Sequence, residues 1–434
     1  MISLNKSFPA LLILFVLHLA VGDRAHGEDI DLFTGVNPAG GDVPTILLYM
    51  HNKRNTNANV THGCTYDDTN SAPALGDTVG GFEQCAIVNA LLSIKTNTLL
   101  LGKIKVGILL FNNSQFSSFD NGDASISNGA GECGYLAYVP TVLDATGIDL
   151  LVASMKSYAD NSFLVPNTQV GDGMVSAWAI LNGLTDTCGG NNINYSSLAP
   201  SATDCGDAAI IHIGNLAKTT AKLEDKTPTG RVDSLLQAEL TSKFGYASGS
   251  EEYQRFTAAI PVTQLSSSLD KYQADDWARF MKRVNVDDSA QADRNIVTYS
   301  IGIYDPGVQS QIQDQFNFMG SMAKQGGGKF YTVEHTAGDV LKDVLLQIFT
   351  EVQAVNSVFS SATLPVSAST QGTFLNQVYI ATFRPDRFAG PRWYGNVKQY
   401  QFAFDASGQI VLADKDQSVT NAVSATNPNT GGFS

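Results

Sequence analysis

The stretch Thr45–Met50, TILLYM, constrains the chain more than any other. Five of its six residues are apolar and none is charged. Such a run is a strand covered on both faces, as in a parallel sheet. It opens into a polar loop, and an open α/β sheet places its site at the C-terminal ends of its strands. Three more buried strands are expected at Lys103–Phe111, Ala208–Ile213 and Arg294–Tyr304, with a short one at Lys329–Val333. Helical periodicity separates them, at Phe82–Lys95, Ile148–Tyr158, Asp172–Leu184, Val232–Phe244, Asp275–Val284, Gln309–Lys324 and Gly338–Val355. Strands alternating with helices make an α/β, doubly wound, mainly parallel sheet.

Some details follow from local chemistry. Asp172 suits a helix N-terminus, where an acid complements the helix dipole. Trp277, Phe280 and Met281 share one helix face, expected to pack on the sheet. Asn112–Glu132 and Gly214–Ser268 read as polar insertions. From Asn356 the pattern changes to period two with turn signals, and Asp405–Gly408 reads as a hairpin turn. Residues 356–412 are therefore expected to form a smaller antiparallel β region, after an α/β domain over 28–355. Residues 413–434 read as a linker-like tail.

Residues 1–27 read as a signal peptide: Lys6, an apolar run from Phe8 to Val21, then Ala25-His26-Gly27. Five cysteines follow it. An oxidising compartment favours disulfides, and Cys64–Cys85 with Cys188–Cys205 are the economical pairings, leaving Cys133 over. Net charge is −14 with no basic stripe, which argues against nucleic acid as a partner. The sequence contains no nucleophile elbow, zinc-protease helix or phosphate loop, so an enzyme is not expected. His212 lies inside an apolar strand and reads as a hydrogen-bonded core residue. Asp67-Asp68 and Asp120–Asp123 read as solvated loops, since neither continues into an EF-hand.

The opening strand and the alternation resemble a von Willebrand factor A-type (VWA) domain. That family presents Asp-x-Ser-x-Ser after its first strand, a Thr from a second loop and an Asp from a third. Here the corresponding positions are His51, Lys53, Asn55, Thr168 and Asn215. None is a carboxylate, and hard divalent cations are held chiefly by carboxylates. Lys53 has no acceptor to offer and repels a dication. The expectation is a degenerate site with no metal and no cofactor, in which Lys53 stands in for the cation beside Thr168 and Asn215.

Several ordered stretches further resemble the PilY-type tip-associated adhesins of type IV pili. They are EDIDLFTG (Glu28–Gly35), the opening strand, IHIGN (Ile211–Asn215), DDWARFMKRV (Asp275–Val284) and the long Asn356–Tyr400. The resemblance implies export to the pilus tip, cell surface or outer membrane, and roles in pilus biogenesis, adhesion or surface sensing. It implies minor pilins as partners, with a surface or host ligand. It also implies a C-terminal β-propeller. This sequence stops where the β region would feed it, so a separate propeller-bearing chain is a further possible partner. The competing expectation is a free secreted VWA module that binds its ligand through a metal.

Overall fold

The computed structural model describes residues 43–51, 59–111, 134–158, 169–188, 191–199, 208–216, 230–258, 273–284, 295–355, 359–363, 377–384, 394–406 and 408–414. The chain divides into two compact units, one over Ala39–Asn356 and one containing Ser357–Ser434.

The first unit is built on β1, Thr45–Met50, whose six residues are all buried. It lies at the centre of a six-stranded sheet. The others are β2 (Lys105–Phe111), β3 (Gly134–Val142), β6 (Ala208–Leu216), β7 (Ile296–Tyr304) and β8 (Gly327–Glu334), in the order β3-β2-β1-β6-β7-β8. β1 pairs in parallel with β2 from Thr45↔Lys105 and with β6 from Thr45↔Ala208. Only β3, at one edge, runs antiparallel. β4 (Thr185–Cys188) and β5 (Asn191–Asn194) form a separate hairpin.

Helices cover both faces, as the apolar strands require. The strand period of two divides β1 between the layers. Ile46, Leu48 and Met50 join one core with α1 (Val79–Ile94), α2 (Ala145–Ser157) and α8 (Gly338–Val355). Leu47 and Tyr49 join the other, with α3 (Val170–Asn182), α4 (Gly230–Phe244), α6 (Ala274–Arg283) and α7 (Gln313–Gln325). α5 (Glu251–Thr257) adds Phe256 to this second core. Ile46, Leu47 and Leu48 are fully buried, so truncating any one to alanine costs on the order of 2–5 kcal/mol.

Three local features depart from the sequence reading. β3 falls in a stretch to which the sequence reading assigned no element. An edge strand tolerates proline, and here Pro140 packs against Gly107, where a side chain would come within 2.8 Å of its ring. The insertion expected from Gly214 begins inside β6, and besides the expected helix, α4, it supplies α5. The third departure is α6, which is buried all round from Ala274 to Lys282. Its charges are met rather than solvated. Asp275 accepts from Ser321 Oγ at 2.6 Å, Asp276 pairs with Arg279, and Arg279 Nε donates to Gln325 Oε1 at 2.9 Å. Trp277, in the same core as Leu47 and Ile210 of the sheet, also donates through its Nε1–H to Val232 O of α4 at 3.1 Å.

The second unit is an antiparallel sheet, β12-β11-β10-β9, made from Phe359–Thr363 (β9), Gln377–Arg384 (β10), Tyr394–Phe404 (β11) and Ile410–Asp414 (β12). Its last hairpin turns at Asp405–Gly408. Gly408 adopts φ +79°, and its N–H donates to Asp405 O at 3.0 Å. β12 runs two residues past the expected end at 412.

Candidate functional site

The strand order reverses at β1, which has β2 on one side and β6 on the other. A sheet of this kind opens a crevice beyond the carboxyl ends of the two strands that flank such a reversal. His51 is the first residue past β1 and is 2% exposed. Its backbone N–H donates to Ile213 O at 2.9 Å, which carries the ladder one step further. Its Nδ1 accepts from the Asn215 N–H at 3.4 Å.

Asn215 does not sit in a loop after the strand, as the sequence suggested. It lies within β6, opposite Ile303 of β7, and is fully buried. Gly214 read as a strand end, but it pairs with Gly302 in the same ladder. The Asn215 Nδ2 donates to Glu83 Oε1 at 3.1 Å. Glu83 comes from α1, is 2% exposed, and did not figure among the sequence candidates. Burial pushes its carboxyl up to about 8, with the Asn215 donor pulling partway back. At neutral pH it therefore carries its proton.

The start of α1 holds this group in place. Thr78 caps the helix by accepting from Gly81 N–H at 3.0 Å. Gly81 is confined to glycine, because a Cβ there would fall 2.0 Å from Gly76 O. Gln84, beside Glu83, donates to Met155 O at 2.6 Å and to Tyr158 O at 3.0 Å, closing the end of α2. Cys64 and Cys85 form a disulfide that ties the preceding loop to α1. Asn89 reinforces it by donating to Thr65 O at 2.9 Å and accepting from Asp67 N–H at 2.9 Å.

Lys53, Asn55, Thr168, Cys133 and Cys205 lie outside the described residues, as does the side chain of Cys188. Gln169, next in the chain to Thr168, is at the same edge: the Tyr49 hydroxyl donates to its carbonyl at 3.5 Å. Gly173 makes that approach possible, since a Cβ there would meet Tyr49 Oη at 1.9 Å.

The side chains gathered here do not fit a hard divalent cation. Such an ion needs several anionic or carbonyl oxygens. Among the described residues Glu83 is the one carboxyl of the cluster, and Asn215 presents its amide nitrogen to it. Among the described residues no three His, Cys, Asp or Glu side chains converge.

Two other polar groups lie on the second face. His212 is fully buried against the Tyr49 ring, with centroids 5.1 Å apart. It was expected to be hydrogen-bonded, yet neither ring nitrogen has a partner among the described residues. The flanking Ile211 and Ile213 mark the strand but not the surroundings of its other face. Burial pushes His212 down to about 3, so it is neutral. Asp172 is in the first turn of α3, but its carboxylate faces Arg231 of α4 at 3.0 Å rather than solvent. Arg231 also pairs with Asp186 of β4 and donates through Nε to Thr187 O at 2.8 Å. Ser176 Oγ donates to Asp186 Oδ2 at 2.7 Å and is fully buried, out of reach of a substrate. In the Asp67-Asp68 loop, Asp68 pairs with Lys156 at 2.7 Å, which holds its carboxyl below the usual range.

No protein-family model matches the sequence, and no curated protein matches it. Among solved structures, the chain is similar to the PilB minor pilin from Streptococcus sanguinis, with 13% identity and a TM-score of 0.36. That match covers 73% of this chain and 63% of that one, so the chain spans less than two thirds of the pilin's length. A von Willebrand factor type A protein from Catenulispora acidiphila matches with 8% identity and a TM-score of 0.34, over 88% of this chain and 69% of that one. The pilus adhesin RrgA from Streptococcus pneumoniae matches with 10% identity and a TM-score of 0.31, over 85% and 54%.

Proposed function

We propose that this chain is an exported, non-enzymatic surface protein of the type IV pilus tip, supporting pilus biogenesis, adhesion or surface sensing. Its α/β domain is a recognition scaffold that works without a metal. Its antiparallel sheet docks on minor pilins, with strand-edge pairing as the mode.

The observation that carries this reading is the closure of the strand-order reversal by Glu83, Asn215 and His51. A catalytic or metal-dependent site needs charged groups open to a ligand. Among the described residues the groups at that position are buried and bonded to one another, and the carboxyl is neutral. The pilus setting is supported by the resemblance of residues 28–35, 211–215, 275–284 and 356–400. Co-purification tests it. Pili sheared from the cells that make this chain should carry it together with minor pilins. Recovery only from culture medium, free of pilins, would contradict the proposal and favour a free secreted module.

A further inference from the structure

Four strands place a row of side chains on the face of the sheet that holds Leu47 and Tyr49. Tyr49 of β1 pairs with His212 of β6, His212 with Ser300 of β7, and Ser300 with Phe330 of β8. Successive side chains of a strand point to opposite faces, and Tyr299 and Ile301, on either side of Ser300, belong to the other core. The row therefore reads aromatic, imidazole, hydroxyl, aromatic. Its two polar groups stand side by side with a ring at each end. The next pair on the same face is Gly214 and Gly302, which contribute no side chain. Phe316 and Met319 close over Gly302.

His212 and Ser300 are both fully buried. Among the described residues neither His212 nitrogen nor Ser300 Oγ has a hydrogen-bond partner. Tyr49 does not supply one. Its ring lies against the imidazole, with centroids 5.1 Å apart, and its hydroxyl donates to Gln169 O. Phe330 has no polar atom to give. Thr298, two residues earlier on the same face of β7, adds a third fully buried side chain whose hydroxyl has no partner among the described residues. Buried polar side chains of folded proteins are paired in the large majority of cases, with protein or with ordered water. An unpaired one costs the whole of its desolvation, and a marginally stable domain carries few of them in one place.

We infer that β6 and β7 hold a bound water molecule in the core, bridging the His212 imidazole and the Ser300 hydroxyl. Paired strands lie about 4.8 Å apart. A water oxygen about 2.8 Å from each of two groups spans up to about 5.6 Å, so one molecule reaches side chains on strands so spaced. The chemistry matches. A neutral imidazole offers one N–H and one acceptor nitrogen, and a hydroxyl can both donate and accept. Buried waters typically make about three such bonds, and the Thr298 hydroxyl is a further polar group on the same face.

A crystal structure of the full exported chain, at a resolution that shows ordered water, tests the site directly. Solvent density is expected within hydrogen-bond distance of both a His212 ring nitrogen and Ser300 Oγ. No density there, or Ser300 Oγ bonded directly to the ring, would overturn the assignment. Urea unfolding gives an independent reading in solution. Removing a bridged hydroxyl strands its partners, so Ser300→Ala should lower the midpoint, and the loss should shrink in a His212→Phe background. If the hydroxyl is simply unpaired, Ser300→Ala raises the midpoint, and by the same amount in both backgrounds, which contradicts the bridge.

Discussion

Replacing Glu83 by glutamine should stabilise the protein, and by an amount that grows with pH. The carboxyl titrates near 4.5 when solvated and near 8 in the folded chain. Between those values the unfolded chain releases a proton that the folded chain keeps, so the folded state loses stability as pH rises. Each unit of pKa difference is worth about 1.36 kcal/mol. The loss is then about 2 kcal/mol near pH 6 and approaches about 5 kcal/mol at pH 8, as an upper bound. Glutamine does not titrate, and its Oε1 can still accept from Asn215 Nδ2, so the bond at 3.1 Å survives. Urea unfolding followed through Trp178 and Trp277, both buried in this domain, reads the difference directly. Glu83→Gln and the parent should coincide near pH 4.5, then diverge by roughly 3 kcal/mol at pH 7. A difference that is flat with pH, or a glutamine variant less stable throughout, would refute the reasoning.

Other substitutions probe the remaining structure. His212 titrates near 3 when folded against 6.5 when solvated. Its own contribution therefore falls as pH drops below about 6.5, opposite in sign to that of Glu83 and offsetting it between about pH 4.5 and 6.5; His212→Phe should gain stability over the parent progressively as pH falls from about 6.5 to about 4, read in urea midpoints. Arg231→Ala leaves Asp172 and Asp186 buried without their cation and should cost about 3–5 kcal/mol, read by the same unfolding assay. Breaking the Cys64–Cys85 link with paired serines opens a loop with a sequence separation of 21 and should cost about 3 kcal/mol; non-reducing peptide mapping verifies the bond in the parent. Gly173→Ala should destabilise by roughly 1–3 kcal/mol through overlap with the Tyr49 hydroxyl. Tyr49→Phe in the same chain should recover part of that loss in a double-mutant cycle.

The central strands were legible because burial on both faces leaves an unbroken apolar run, as in Thr45–Met50. α8 was legible to the residue, since Gly338–Val355 carries a regular apolar stripe. The charged face of α6 was not, because sequence periodicity cannot distinguish solvent from hydrogen-bond partners on α7 such as Ser321 and Gln325. The start of α1 was read three residues late, because Gly80 and Gly81 weaken a helical signal that Thr78 restores by capping. Glu83 was missed for a related reason: a lone acid in a helix reads as solvated. A signal did exist. Val79–Ile94 holds only Glu83, Gln84, Asn89 and Ser93 as polar side chains. A helix with so little polar surface has no solvated side to offer, so an acid in it must find a buried partner. Asn215 is that partner, and a glycine before it hid the continuation of β6.

The most direct measurement of the account is retention on the filament when divalent cations are removed. Sheared pili, washed with excess EDTA and analysed by quantitative mass spectrometry, should keep this chain in constant ratio to the minor pilins. Its loss from the filaments on washing, with return on adding calcium or magnesium, would contradict a metal-independent pilus protein.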